Sequence, residues 1–137
     1  MTPVAAFLFK TEPSTYSFAD LVREKRAVWD GVSNPVALKH LRTVAKGDTI
    51  VIYHTGDEKS AVGLARALSA GYPDPKDKAG KLVVVDLEPV RMLKTPVPLS
   101  AIREDAVLSK TDLVRIPRLS VVPLTPAELA RFEKLGA

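Results

Sequence analysis

The sequence predicts an α+β domain built on a curved, mostly antiparallel sheet, and three observations carry that expectation. Short apolar runs with period-two alternation are separated by brief stretches bearing helix-capping residues. Strands and helices follow one another irregularly, without the βαβ spacing of a doubly wound sheet and without a Gly-rich phosphate loop. The 137 residues, 46% hydrophobic and 26% charged, have the size and composition of one globular domain, read as residues 1–137, and not of a disordered tail or a repeat array. A small barrel is the form of such a sheet that covers its edges.

The elements follow in order. Residues 4–9 have the length and apolarity of a buried strand, stopped by Lys10-Thr11-Glu12-Pro13. Ser17 and Asp20 have the spacing of a capping box, opening a short helix to about Glu24. A second helix fits residues 35–42, with Asn34 or Ser33 as its cap and Pro35 at the first helical position. Residues 48–54 and 61–68 both alternate, and the turn-rich stretch 55–60 between them makes a hairpin. One face of the second strand carries only Ala61, Gly63, Ala65 and Ala67, which admits another backbone, a helix or a flat ligand at close range. Tyr72-Pro73-Asp74-Pro75 and the charged residues up to Gly80 read as a loop. Residues 82–90 are β-branched enough for a strand, Pro96 and Pro98 end it, and a helical piece near 99–104 follows. A short strand over 119–122 precedes a last helix, capped by Thr125, with Pro126 at its first position and Glu128 completing the box.

Composition excludes much chemistry. The chain has no cysteine, which removes disulfides, cysteine-bound zinc, iron–sulfur clusters and thiol nucleophiles. His40 and His54 are its two histidines, and neither has a partner at metal-ligand spacing, so no metal and no cofactor is expected. No run of 18 apolar residues exists, and the first nine residues lack a basic n-region. The chain therefore reads as a cytoplasmic monomer that does not enter membranes. Its net charge is +4, with 8 basic against 7 acidic residues up to position 60 and 12 against 9 after it. Such an excess suits a polyanionic partner and equally a solvated basic surface.

Candidate site residues fall into clusters. Trp29, the only tryptophan, is either a core anchor or a stacking wall for a base, with Asp30 and Asn34 beside it to bond a base edge. The loop before the second helix also exposes backbone N–H groups that favour an anion. Lys10, Thr11, Glu12 and Tyr16 form a second cluster, in which Pro13 fixes the turn; it is a surface ion pair or, if it faces Trp29, a site in which Tyr16 adds a second aromatic wall and Lys10 a phosphate contact. His54, at a strand end after Tyr53, could act as a general base, with Asp57 and Glu58 read as turn residues. Arg115 and Arg118 fit nucleic-acid backbone contacts or a solvated basic edge.

The order of segments is more specific than any one of them. Lys10-Thr11-Glu12-Pro13 with Tyr16-Ser17, Trp29-Asp30-Gly31-Val32 with Asn34, Gly47-Asp48 with Tyr53-His54, Ala61-Val62-Gly63, Tyr72-Pro73-Asp74-Pro75 and Arg118-Leu119-Ser120-Val121 together closely resemble the EVE-domain family over residues 7–124. The resemblance implies a PUA-like fold, a mixed β-barrel flanked by short helices, related to the YTH and SRA readers of modified bases. It implies a partner as well: DNA or RNA carrying a modified base, with modified cytosine in DNA the leading candidate. By motif position the base pocket falls to Lys10, Thr11, Glu12, Tyr16, Trp29, Gly31, Val32, Asn34, Tyr53, His54 and Ser120, and backbone contacts to Lys39, Arg42, Arg115 and Arg118. The chain departs from many relatives in having Phe7-Leu8-Phe9 where a Trp is common, Thr11 for Ser, Ser33 for an Arg, and Pro35 for a larger residue. Ser33 removes a guanidinium that could grip phosphate or base.

The expected function is a non-catalytic reader of a modified base. The alternative is an enzyme on a small molecule or nucleotide that uses His54 or Glu12 in the same pocket. It is the weaker reading, because no nucleophile–base pair, metal cluster or phosphate loop is legible.

Overall fold

The computed structural model describes residues 6–137. Seven strands and five short helices follow one another as β1 (Ala6–Thr11), α1 (Phe18–Glu24), β2 (Ala27–Trp29), α2 (Pro35–Leu41), β3 (Thr49–His54), β4 (Ser60–Ala67), β5 (Tyr72–Pro73), β6 (Val83–Pro98), α3 (Leu99–Glu104), a 3₁₀ turn (Leu108–Lys110), α4 (Asp112–Arg115), β7 (Val121–Leu124) and α5 (Pro126–Leu135). The sheet runs β2-β6-β4-β3-β1-β7, with β5 paired to β6. Among the described residues only β1 and β3 pair in parallel; every other ladder is antiparallel.

Phe7, Leu8, Phe9, Ile50, Val51 and Ile52 are all buried, so β1 and β3 are covered on both faces. That burial explains why β1 reads as an unbroken apolar run and not as an alternating one. Three strands separate β2 from β1 in the sheet. The Trp29 ring of β2 nevertheless lies 5.7 Å from the Phe9 ring of β1, which requires the sheet to curl back on itself. The result is a curled, barrel-like mixed sheet with short helices against it, an α+β architecture.

The local signals for helices hold where capping chemistry is local. Ser17 and Asp20 close a reciprocal capping box on α1, and Thr125 and Glu128 close another on α5. At α2 the cap is Asn34, whose Oδ1 accepts from the Val36 and Ala37 amides at 2.9 and 3.1 Å. The small-residue face of β4 receives a helix: a Cβ on Gly63 would stand 2.6 Å from the Phe18 ring of α1. Phe18 is itself fully buried.

Several strand boundaries differ from expectation. The first strand continues through Lys10 and Thr11, because both extend the parallel ladder to Tyr53 and His54; Val4 and Ala5 lie outside the described residues. Val28-Trp29 belongs to β2, not to a loop, through pairing with Asp86 and Val85. Tyr72-Pro73 likewise pairs with Val84-Val83. β6 does not stop near Val90 but runs on to Pro98, and its register against β4 is irregular on either side of Met92. Pro89 stands beside the first irregularity and Pro96 falls within the second, which lets the strand carry them and bend. The last strand is Val121–Leu124, two residues later than expected, and residues 108–115 supply a 3₁₀ turn and a helix that local patterning did not indicate.

Candidate functional site

Where β2 curls toward β1, a cleft of about 700 Å³ opens between the 10–16 segment, the 27–34 segment and Ser120. Its walls are aromatic. Trp29, only 8% exposed, packs on Phe9 behind it, and the Tyr16 ring meets it edge-on at a centroid separation of 6.1 Å and 83°. Trp29 is thus a core anchor and a cleft wall at once. The Tyr16 hydroxyl donates to Glu24 Oε1 at 2.7 Å, which fixes the ring. Burial and then this hydrogen bond push the phenol pKa well above its ordinary value, so Tyr16 stays a neutral donor.

The turn at the end of β1 is built by its own side chains. Thr11 Oγ1 donates to the Tyr16 carbonyl at 2.7 Å, and the Glu12 carboxylate accepts from both the amide and the hydroxyl of Ser14. These Ser14 bonds hold the Glu12 pKa below the usual carboxylate value. Glu12 therefore sits in the cleft as an anion and acceptor. Lys10 donates from Nζ to the Pro117 carbonyl at 2.7 Å, and its burial lowers the amine pKa. Gly31 adopts φ +79 and would meet nothing within 4 Å if it carried a Cβ. Its requirement is conformational: a left-handed backbone turns the chain from β2 toward α2.

Nine of the eleven residues expected in the pocket line this cleft: Lys10, Thr11, Glu12, Tyr16, Trp29, Gly31, Val32, Asn34 and Ser120. Tyr53 and His54 do not. The Tyr53 ring lies beneath Lys10, whose Nζ is 5.9 Å from the ring centroid, and it lines a separate small pocket. His54 is buried beneath α1: its Nε2 accepts from the Phe18 amide at 3.0 Å, and its Nδ1 meets Glu58 Oε1 at 3.1 Å. The ring satisfies an N–H at the first turn of α1, an orphan donor that every helix start must place. Glu58, read as a turn residue, is its partner. The anion site expected before α2 is also absent, since Asn34 already occupies the Val36 and Ala37 amides.

Glu24, Thr15, Ala27 and Val28 join the cleft without having been singled out in sequence. The available clue to Glu24 was its place in the last turn of the helix that follows Tyr16. Counting charge on the lining, Glu12, Glu24 and Asp30 face a single Lys10. The cleft therefore suits a flat group with amino donors better than it suits a phosphate. Lys39, Arg42, Arg115 and Arg118 are exposed and lie outside the cleft; Arg42 donates to the Lys81 carbonyl at 3.2 Å. Among the described residues, no group of three or more His, Asp or Glu side chains could hold a metal, and no helix is long and apolar enough to cross a membrane.

A curled mixed sheet flanked by short helices, with an aromatic, carboxylate-rimmed cleft at its seam, defines an α+β barrel domain of PUA-like form. The EVE domain family matches residues 5–135, and the chain belongs to it. Thymocyte nuclear protein 1 of Gallus gallus is 28% identical over 89% of this chain, which spans 64% of that protein's length. An NMR structure of a Rhodopseudomonas palustris protein superposes with a TM-score of 0.91 at 38% identity, covering 97% of this chain and 93% of that one. The crystal structure of human THYN1 protein in complex with 5-methylcytosine-containing DNA superposes with a TM-score of 0.87 at 27% identity, covering 96% of each chain.

Proposed function

We propose that this chain reads a modified nucleobase, a modified cytosine in DNA being the leading candidate, by holding the base in the Trp29–Tyr16 cleft without catalysing a reaction on it. The observation that carries the reading is the likeness, in fold and in sequence, to the human protein crystallised with 5-methylcytosine DNA. The chemistry of the cleft supports it. An aromatic wall offers stacking, Val32 and Ala27 offer apolar surface for a methyl group, and the carboxylates of Asp30, Glu12 and Glu24 can accept from an exocyclic amine. Reaching such a cleft from a duplex means flipping the base, at a cost of a few kcal/mol that stacking and edge hydrogen bonds must offset.

The exposed cations Lys39, Arg42, Arg115 and Arg118 are assigned to the phosphate backbone, where they position the nucleic acid without reading it. Nothing favours the enzymatic alternative: His54 is engaged with Phe18 and Glu58 outside the cleft, and Glu12 is held as an anion by Ser14.

The test is the affinity for one labelled oligonucleotide with and without 5-methylcytosine, measured across a salt series. The methylated form is expected to bind more tightly at every salt concentration, with both affinities falling steeply as salt rises. Trp29→Ala should remove about 1–3 kcal/mol, roughly fivefold to 150-fold, as loss of a stacking partner does. Trp29→Phe, which keeps an aromatic on Phe9, controls for unfolding. Equal binding of both oligonucleotides throughout the series would count against the reading.

A further inference from the structure

Behind Lys10 lies a second pocket of about 170 Å³, bounded by the end of β3, the β3–β4 turn, the start of α3 and the chain around α4. It is smaller than the roughly 300–1,000 Å³ of ordinary small-molecule sites. Its charge is the reverse of the cleft's: Lys10, Lys59 and Arg103 line it, and no acidic residue does. None of the three takes part in an ion pair among the described residues. The Glu12 carboxylate packs against Gly56 at the wall, where Ser14 engages it. Tyr53 is 97% buried yet lines this pocket, and its phenol pKa is raised by burial with Arg103 opposing; no hydrogen bond contributes. Three unpaired cations and a phenol around a space of this size make a site for a tetrahedral oxyanion.

We infer that this pocket binds a phosphate group, and that its natural occupant is the phosphodiester flanking the base held in the cleft. The source follows from Lys10, which lines both cavities. A base and its own phosphate are separated by a single sugar, and here the acceptor-rich cleft and the cationic pocket share one side-chain wall. The separation of charge also sets polarity: the cleft's three carboxylates repel the phosphate that the neighbouring pocket attracts. The assignment to the backbone rests on the reader function proposed above, whereas the oxyanion chemistry of the pocket does not.

Two arms test it on the intact chain. In the first, inorganic phosphate is titrated against chloride at matched ionic strength and followed by amide NMR. Shifts are expected at residues 55–59, 99–103 and 113–116, and Arg103→Glu, an exposed substitution, should abolish them. Phosphate that moves none of these amides, or moves them equally in the variant, overturns the pocket. In the second, a single neutral methylphosphonate replaces the linkage beside the modified base. It should weaken wild-type binding about tenfold and lower the salt slope by about one unit, with no further loss in Arg103→Glu. Phosphate shifts without a methylphosphonate effect overturn the backbone assignment. Equal affinity for methylated and unmethylated DNA, with the phosphate shifts intact, would defeat the reader function alone and leave the pocket standing.

Discussion

Trp29 and His54 divide the work of this seam between them. A lone tryptophan in sequence is either core or wall, and the curl of the sheet makes it both, because the ring that covers Phe9 also faces the cleft. His54 had the look of a chemical group and is a structural one. Its ring nitrogens join α1 to the β3–β4 turn through Phe18 and Glu58, and the first of these contacts spans 36 residues, which no local pattern discloses. His54→Ala should therefore cost about 1–3 kcal/mol in urea unfolding, by orphaning the buried Phe18 amide, while the affinity of the folded fraction for methylated DNA stays unchanged. A selective loss of binding with stability intact would reverse that assignment. Asn34 is the opposite case: its place before Pro35 left it and Ser33 as the two candidate caps, and the structure selects Asn34. Asn34→Asp keeps the capping oxygen and removes the amide donor. Stability should be held within about 0.5 kcal/mol, so any drop in affinity reports on the cleft and not on the helix.

The elements that sequence disclosed are those whose cause is local. Ser17 with Asp20 and Thr125 with Glu128 bond within one helical turn, so the residues that specify the helix start are adjacent in the chain. β2 is three residues long and is a strand only because β6 lies beside it. β6 carries prolines that argue for an end, and it continues because the ladder shifts register around them. The small-residue face of β4 was legible as a place of close approach, and what approaches is the Phe18 ring of α1. Gly63→Ala puts a methyl group into that ring, and the substitution is expected to destabilise the fold by about 1–3 kcal/mol, as overpacking does. A chemical-denaturation midpoint unchanged from wild type would show that α1 can shift outward at no cost. Because Tyr16 and Glu24 flank the same helix, such a shift would also be read as weaker binding.

At the scale of the whole molecule, the net charge of +4 was uninformative and its placement is not. Carboxylates gather at the cleft, while cations ring the neighbouring pocket and stand on the exposed surface. One buried acid serves stability instead. Asp105, at the C-terminal end of α3, accepts from Arg131 of α5 at 2.6 Å and from the Val107 and Leu108 amides. Burial alone would raise its pKa; Arg131 and the two amides outweigh that and hold it below the usual carboxylate value. With the folded pKa lowered, the stabilisation is present above the unfolded carboxylate pKa of about 3.9 and disappears as pH falls through the lower folded value. Asp105→Asn should thus lose about 1 kcal/mol at pH 7, and its deficit in thermal midpoint should shrink below pH 4. A deficit that grows on acidification would contradict the sign. The reader function has a more direct probe, because Trp29 is the only tryptophan in the chain and forms the proposed stacking wall. Titrating the protein with a 5-methylcytosine oligonucleotide should quench this single fluorophore saturably, at lower concentration than the unmethylated strand requires. Binding detected by another label without any change in Trp29 emission, or identical curves for the two strands, would contradict it.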